Sequence, residues 1–167
     1  LFNIIAVPLI NHALEGYNAT LFAYGQTGSG KTFTITGDGT PNCMGIVPRA
    51  IQYVYSHIPE YSDFETSISY LEIYNNNAYD LLTPQPNEGA SITKLEDLRK
   101  VQIVDTGKET ICKGLSCENA PDIESAHLHF WAGESARQKA ATVNNKYSSR
   151  SHTIFTFYFK LIIEDNI

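Results

Sequence analysis

Gly25-Gln26-Thr27-Gly28-Ser29-Gly30-Lys31-Thr32 spells G-x-x-x-x-G-K-S/T without a mismatch, and the reading of the 167-residue chain turns on it. Its glycines let the backbone turn tightly and bring several N–H groups onto phosphate oxygens, while a helix opening behind the loop points its positive end at the same anion. In such a loop Lys31 reaches the β/γ-phosphates and the Thr32 hydroxyl ligates Mg2+. The motif carries this meaning only between a strand and a helix start. Leu21-Phe22-Ala23-Tyr24 is a short, apolar, β-prone run, so a strand is predicted there. A helix is predicted from Lys31 that fails quickly at the turn formers Gly37-Asp38-Gly39-Thr40-Pro41-Asn42.

Outward from the loop, residues 1–16 read as an amphipathic helix with Ile5, Leu9, Ile10, Ala13 and Leu14 near one face and Gly16 as its stop. A second helix is predicted over 46–58, its stripe formed by Ile51, Val54, Tyr55 and Ile58. Glu65 to Tyr74 alternates as a strand, Asn75-Asn76-Asn77 breaks it, and Tyr79-Asp80-Leu81-Leu82 reads as one helical turn. Thr83 to Ser91 is a loop rich in Pro, Gly and Asn. Val101–Val104 and Thr110–Cys112 form two short strands around Asp105-Thr106-Gly107. A helix is predicted from Pro121 to about Trp131, capped by Asn119 and turning Ile123, Ala126, His127 and Phe130 inward. A closing strand spans Thr153–Ile163 with Phe155, Phe157 and Phe159 on one face. Strands interleaved with helices give an α/β fold around a largely parallel or mixed sheet, in one domain or most of one.

Composition narrows the function. A net charge of -6, from 18 acidic and 12 basic side chains, argues against a nucleic-acid binder, which needs clustered Lys and Arg. Cys43, Cys112 and Cys117 match no zinc spacing, and an odd count makes a disulfide framework a poor reading, so reduced thiols in the cytosol are expected. No apolar run approaches the ~20 residues of a membrane span. The apolar opening lacks a basic n-region and a cleavage site, and the chain starts at Leu1, so the N-terminus is read as not a native start.

A second constellation, Asn145-Lys146-Tyr147-Ser148-Ser149-Arg150-Ser151-His152, lies directly before the closing strand. Together with the loop at 25–32 it resembles the kinesin motor superfamily. Further matches are Glu15-Gly16-Tyr17-Asn18, Phe22-Ala23-Tyr24-Gly25-Gln26, Gly45-Ile46-Val47-Pro48-Arg49, Ser69–Tyr74 with Tyr79-Asp80-Leu81-Leu82, Lys113-Gly114-Leu115, and Gly133 with Arg137. The resemblance implies a P-loop NTPase with a central mixed sheet flanked by helices, binding ATP or ADP with Mg2+ and working on microtubules. It makes Ser149 the switch residue near Mg2+ and the γ-phosphate, so that Thr32 and Ser149 are the metal-side hydroxyls. Ser148 and Asn145 resemble groups that close the site and place the lytic water, Arg150 an arginine that pairs with a glutamate of switch II, and Phe33 the aromatic that packs on adenine. A phosphate sensor needs such short hydroxyl donors on a segment able to change its order. The resemblance also places switch II, the neck, an N-terminal strand and any dimerisation region outside this stretch, so the chain reads as a partial motor domain. Lys94, Arg99, Lys100, Lys108 and Lys113 are the basic side chains that an acidic tubulin surface would favour; a merely solvated charged face is the rival reading. Phe33-Thr34-Ile35-Thr36-Gly37, Leu95-Glu96-Asp97-Leu98 and the long stretch from Thr83 to Lys100 resemble the ninth, ciliary and flagellar, subfamily. That implies the cytoplasm and cytoskeleton, and within them the cilium or flagellum.

Two rivals stay open: a truncated, hydrolysis-deficient nucleotide- or tubulin-binding module, and an unrelated P-loop kinase or GTPase. The second would use Asp105 as its Walker B acid, yet Gly107 stands two rather than three residues beyond it, and no N-K-x-D occurs. Asp105 is therefore read as a turn residue. His12, His57, His127, His129 and His152 suggest no metal site, and Glu72 reads as a paired or edge-facing carboxylate rather than a general base.

Overall fold

The computed structural model describes residues 1–58, 63–84, 94–141 and 151–162. They fall into two compact units. The first holds the described residues of Leu1–Glu65 and of Lys160–Ile167, the second Thr66–Phe159.

In the first unit a π-helical turn, Phe2–Ala6, runs into α1, Val7–Leu14, with Pro8 as its second residue. Gly16 follows at φ 96, the left-handed stop that a glycine supplies. Helix α2 is short, Lys31–Ile35, and α3 spans Ile46–His57. The stripe of α3 is as the spacing requires: Ile46, Pro48, Ile51 and Val54 are buried, and Ile58 continues the row. Burying a side chain such as Ile51 contributes about 1.5–3 kcal/mol. Tyr53 ties α3 to α1, donating its hydroxyl to Asn11 Oδ1 at 3.0 Å while its ring meets Phe2 edge-on.

Among the described residues six strands make the sheet: β1 (Asp63–Tyr74), β2 (Asn77–Pro84), β3 (Leu98–Asp105), β4 (Thr110–Lys113), β5 (Glu118–Asn119) and β6 (Ser151–Ile162). The order is β4-β3-β2-β1-β5, with β6 also pairing β1. The β1–β2, β1–β5, β2–β3 and β3–β4 pairings are antiparallel, so among the described residues the sheet is not the largely parallel one of the two expected forms. The chain's connections explain this: β1–β2 and β3–β4 are hairpins, and parallel neighbours would need long crossovers. Asn75 and Asn76 both lie at positive φ, 49° and 59°, so Tyr74 pairs with Asn77 across a two-residue turn. Tyr79–Leu82, expected as a helical turn, is consequently the middle of β2. The hairpin at 105–107 is as expected: Asp105 Oδ1 accepts the Gly107 N–H at 2.7 Å.

Helix α4 runs from Ile123 to Ala141, ten residues beyond the expected end at Trp131. Its buried face is Ala126, Phe130, Gly133, Ala136 and Ala140, and the four small residues among them let it approach the sheet closely. Gly133 does not end the helix. A Cβ there would run into the Tyr70 ring, so glycine marks a close approach. Asn119 belongs to β5, and the cap is Asp122, whose Oδ1 accepts the Ser125 N–H at 2.7 Å while the Ser125 hydroxyl accepts the Asp122 N–H at 3.2 Å. Phe155 of β6 meets Tyr70 and Phe130 edge-on at centroid distances of 5.3 and 5.4 Å, placing the first of the three predicted phenylalanines in the core.

Candidate functional site

Residues 18–25 take no regular structure, and the strand expected at Leu21–Tyr24 is absent from the described pairings. Phe22 and Tyr24 stand exposed, and among the described residues no strand pairs with this run. The helix start is present: Gly30 at φ 87 sits immediately before Lys31, in the left-handed region that penalises any side chain, and Gly28 takes φ 82. From there Thr34 N–H bonds Gly30 O at 2.8 Å and Thr36 N–H bonds Thr32 O at 2.7 Å, and the N–H groups ahead of Thr34 have no carbonyl within the helix to bond, as at any helix start.

Lys31 folds back over the loop. Its ammonium donates to Gly25 O at 2.7 Å and to Gln26 O at 2.8 Å, and Ser29 N–H closes the turn onto Gln26 O at 3.2 Å. The loop is therefore a ring of backbone closed by its own cation. Gln26, Thr27, Gly28, Ser29, Thr32 and Phe33 are all exposed, with the Phe33 ring 57% accessible. Tight left-handed glycines, helix-start amides and a central ammonium suit a polyphosphate. Among the described residues no group of three His, Cys, Asp or Glu could hold a metal ion.

A chain that carries this loop and the Ser69–Tyr74 and Lys113–Leu115 signatures in one sequence can be placed by comparison. The family model "Kinesin motor domain" matches residues 1–166. The chain belongs to the kinesin motor domain family. The kinesin-like protein KLP1 of Chlamydomonas reinhardtii is 37% identical over 167 residues, covering 98% of this chain and 20% of KLP1. The kinesin-like protein KIF9 of Mus musculus is 41% identical over 163 residues, 95% of this chain and 20% of KIF9. The human chromosome-associated kinesin KIF4A is 40% identical over 163 residues, 93% of this chain and 12% of that protein. The chain thus spans about a fifth or less of these kinesins. Asn145, Ser148, Ser149 and Arg150 lie outside the described residues.

In the second unit of this kinesin-family chain, the matched Gly133 and Arg137 belong to a buried polar cluster that sequence reading missed. Arg137 pairs with Glu134 through two bonds, Nη2 to Oε2 at 2.7 Å and Nε to Oε1 at 3.2 Å, and the Tyr70 hydroxyl donates to Glu134 Oε1. Glu134 is 2% exposed and Glu72 is fully buried, so Glu72 is no edge carboxylate. Burial, then the Glu134 charge and hydrogen bond, push the Tyr70 phenol far above its usual range. Burial pulls the Arg137 guanidinium down, but bonding to Glu134 and the charges of Glu134, Tyr70 and Glu72 more than offset it. A Glu-x-x-Arg spacing was the visible signal, though it reads equally as a surface pair. Lys94, Arg99, Lys100, Lys108 and Lys113 are all exposed, on or beside the β3–β4 hairpin.

Proposed function

We propose that the chain is the ATP-binding part of a microtubule motor, coupling MgATP binding and hydrolysis to filament binding and movement. The observation that carries this reading is the phosphate loop, with left-handed Gly28 and Gly30 and the Lys31 ammonium already centred on it. Gly25 to Thr32 hold the phosphates, the Lys31 ammonium exchanging carbonyl for phosphate oxygens, and the exposed Phe33 ring offers a face to adenine. Thr32 and Ser149 supply hydroxyls toward Mg2+, which when bound neutralises developing phosphate charge. Asn145, Ser148 and Arg150 close the site and relay phosphate state. Arg99, Lys100, Lys108 and Lys113 meet the acidic filament surface. The likeness to KIF9 supports the ninth-subfamily reading and, with it, a place in the cytoskeleton of a cilium or flagellum.

Thermal unfolding tests the site. At 100 times its dissociation constant, MgATP or MgADP adds about 2.7 kcal/mol of stability. Lys31→Ala removes the ammonium and should abolish that gain, read in each chain as the difference in melting temperature with and without nucleotide. No shift with either nucleotide, or an equal shift in Lys31→Ala, would overturn the reading.

A further inference from the structure

Two threonines of the chain precede a proline, Thr40 and Thr83. Thr83 lies inside β2, where its backbone belongs to the sheet. Thr40 is placed differently. It stands in the middle of Asp38-Gly39-Thr40-Pro41-Asn42, a run of consecutive exposed residues on the lobe that links α2 to α3. Its backbone is extended, at φ -93 and ψ 150, as the residue before a proline requires, and a single 3-10 turn, Pro41–Cys43, follows it.

The lobe is tight at its neck and lightly held beyond it. At the neck Gly37 pairs with Met44, and a Cβ on Gly45 would run into Ile35 O and Gly37 N. Beyond it, the Thr40 hydroxyl and N–H both donate to Asp38 Oδ1, at 2.7 and 2.9 Å. Asp38 N–H bonds Cys43 O at 3.2 Å, and Cys43 N–H bonds Thr40 O at 3.1 Å. The bond from the Thr40 hydroxyl lies at the surface, where water replaces a lost partner, so that hydroxyl is readily released. The Thr40 hydroxyl, then its N–H, hold the Asp38 carboxyl below its ordinary 3.8, so Asp38 is an anion at neutral pH.

We propose that Thr40 is a phosphorylation site for a proline-directed serine/threonine kinase, and that the modification opens the lobe at 38–43. Such a kinase takes an extended acceptor followed by a compact ring without an N–H, and Thr40-Pro41 presents both at the surface. Thr40 Oγ1 attacks the γ-phosphorus of ATP held by the kinase. The new O–P bond replaces the bond to the bridging oxygen, ADP leaves with that electron pair, and the hydroxyl proton passes to a carboxylate of the kinase. The phosphate is close to a dianion at neutral pH and stands where the hydroxyl donated to Asp38. It offers Asp38 no proton and meets it as a like charge, so the two move apart and the lobe loosens as far as its neck. Residues 25–32 take no part, so the outcome is independent of nucleotide binding by this chain.

The test incubates the folded, unmodified chain with a recombinant proline-directed kinase and MgATP, and locates phosphate by tandem mass spectrometry. Phosphate at Thr40 and none at Thr83 is expected. Pro41→Ala keeps the acceptor but should slow the reaction about tenfold, and Thr40→Val should abolish it. In the phosphorylated chain, hydrogen exchange at the Asp38 and Cys43 amides should quicken about tenfold, with the amides of α3 unchanged. Absence of phosphate at Thr40, faster modification of Thr83, or an undiminished rate in Pro41→Ala would overturn the assignment of the site. Unchanged exchange at Asp38 and Cys43 would overturn the opening of the lobe. Should either variant fail to fold, the position of the phosphate and the exchange rates on the unmodified chain decide the matter.

Discussion

At the scale of single residues, the Tyr70–Glu134–Arg137 cluster is the costliest to disturb. Arg137 has a side chain only 18% exposed, and its charge is tolerated there because Glu134 neutralises it through two bonds. Glu134→Ala strands that cation and should cost about 3–5 kcal/mol in chemical denaturation, as for any buried pair broken from one side. Tyr70→Phe leaves the pair intact and removes one donor, for a loss of about 0.5–1.5 kcal/mol. Equal losses for the two would show that packing, not charge, governs the cluster. Gly133 and Arg137 were legible as family residues, but the burial of Glu134 was not. It is imposed by Tyr70, 64 positions earlier in the chain, and no window of local periodicity contains both.

Among elements, α4 shows where local chemistry was readable and where it was overruled. Its inward residues Ala126 and Phe130 follow helical spacing, whereas its length depends on Gly133 fitting Tyr70. Its cap titrates. The Ser125 backbone N–H and then its hydroxyl hold the Asp122 carboxyl below its ordinary 3.8. A carboxyl depressed on folding stabilises the fold above its unfolded value and loses that contribution as pH falls through its lower folded value. Asp122→Asn keeps a cap acceptor that does not titrate in this window. The melting-temperature advantage of the unmodified chain over Asp122→Asn, followed by circular dichroism from pH 6 down to about 2, should therefore shrink at the acid end. A constant gap would remove the cap from the account of acid sensitivity. Strands were read well where alternation was long, as in β1, and misread at β2. The deciding fact there is that two asparagines adopt left-handed conformations, which composition permits but does not announce. The run at Leu21–Tyr24 has β-prone residues but no strand beside it among those described, and propensity alone does not make a strand.

Across the chain as a whole, a net charge of -6 bears on the proposed association with an acidic filament. Attraction has to come from a local face, and Arg99, Lys100 and Lys113 are exposed along one hairpin. Reversing Arg99 and Lys100 to Glu should reduce microtubule co-sedimentation several-fold at low salt, with the difference fading as ionic strength rises and surface charges are screened. The MgATP-induced thermal shift should be unchanged. Equal sedimentation of the two chains at low salt would remove this hairpin from the interface. Family membership was legible because the loop at 25–32 and the cluster at 145–152 are short, contiguous and chemically demanding. The division of the chain into two compact units was not, since no linker or composition change marks it.

If the loop holds a polyphosphate, as proposed, the bonds from Lys31 to Gly25 and Gln26 give it an internal competitor for that ligand. An entering phosphate does not organise a slack segment. It displaces two neutral carbonyl dipoles from a cation already in place, and a full negative charge wins that exchange. On the proposed reading the entropy of shaping the loop is then spent in folding rather than at each binding event, so nucleotide exchange would proceed by substitution at one ammonium, with the surrounding backbone left as it was.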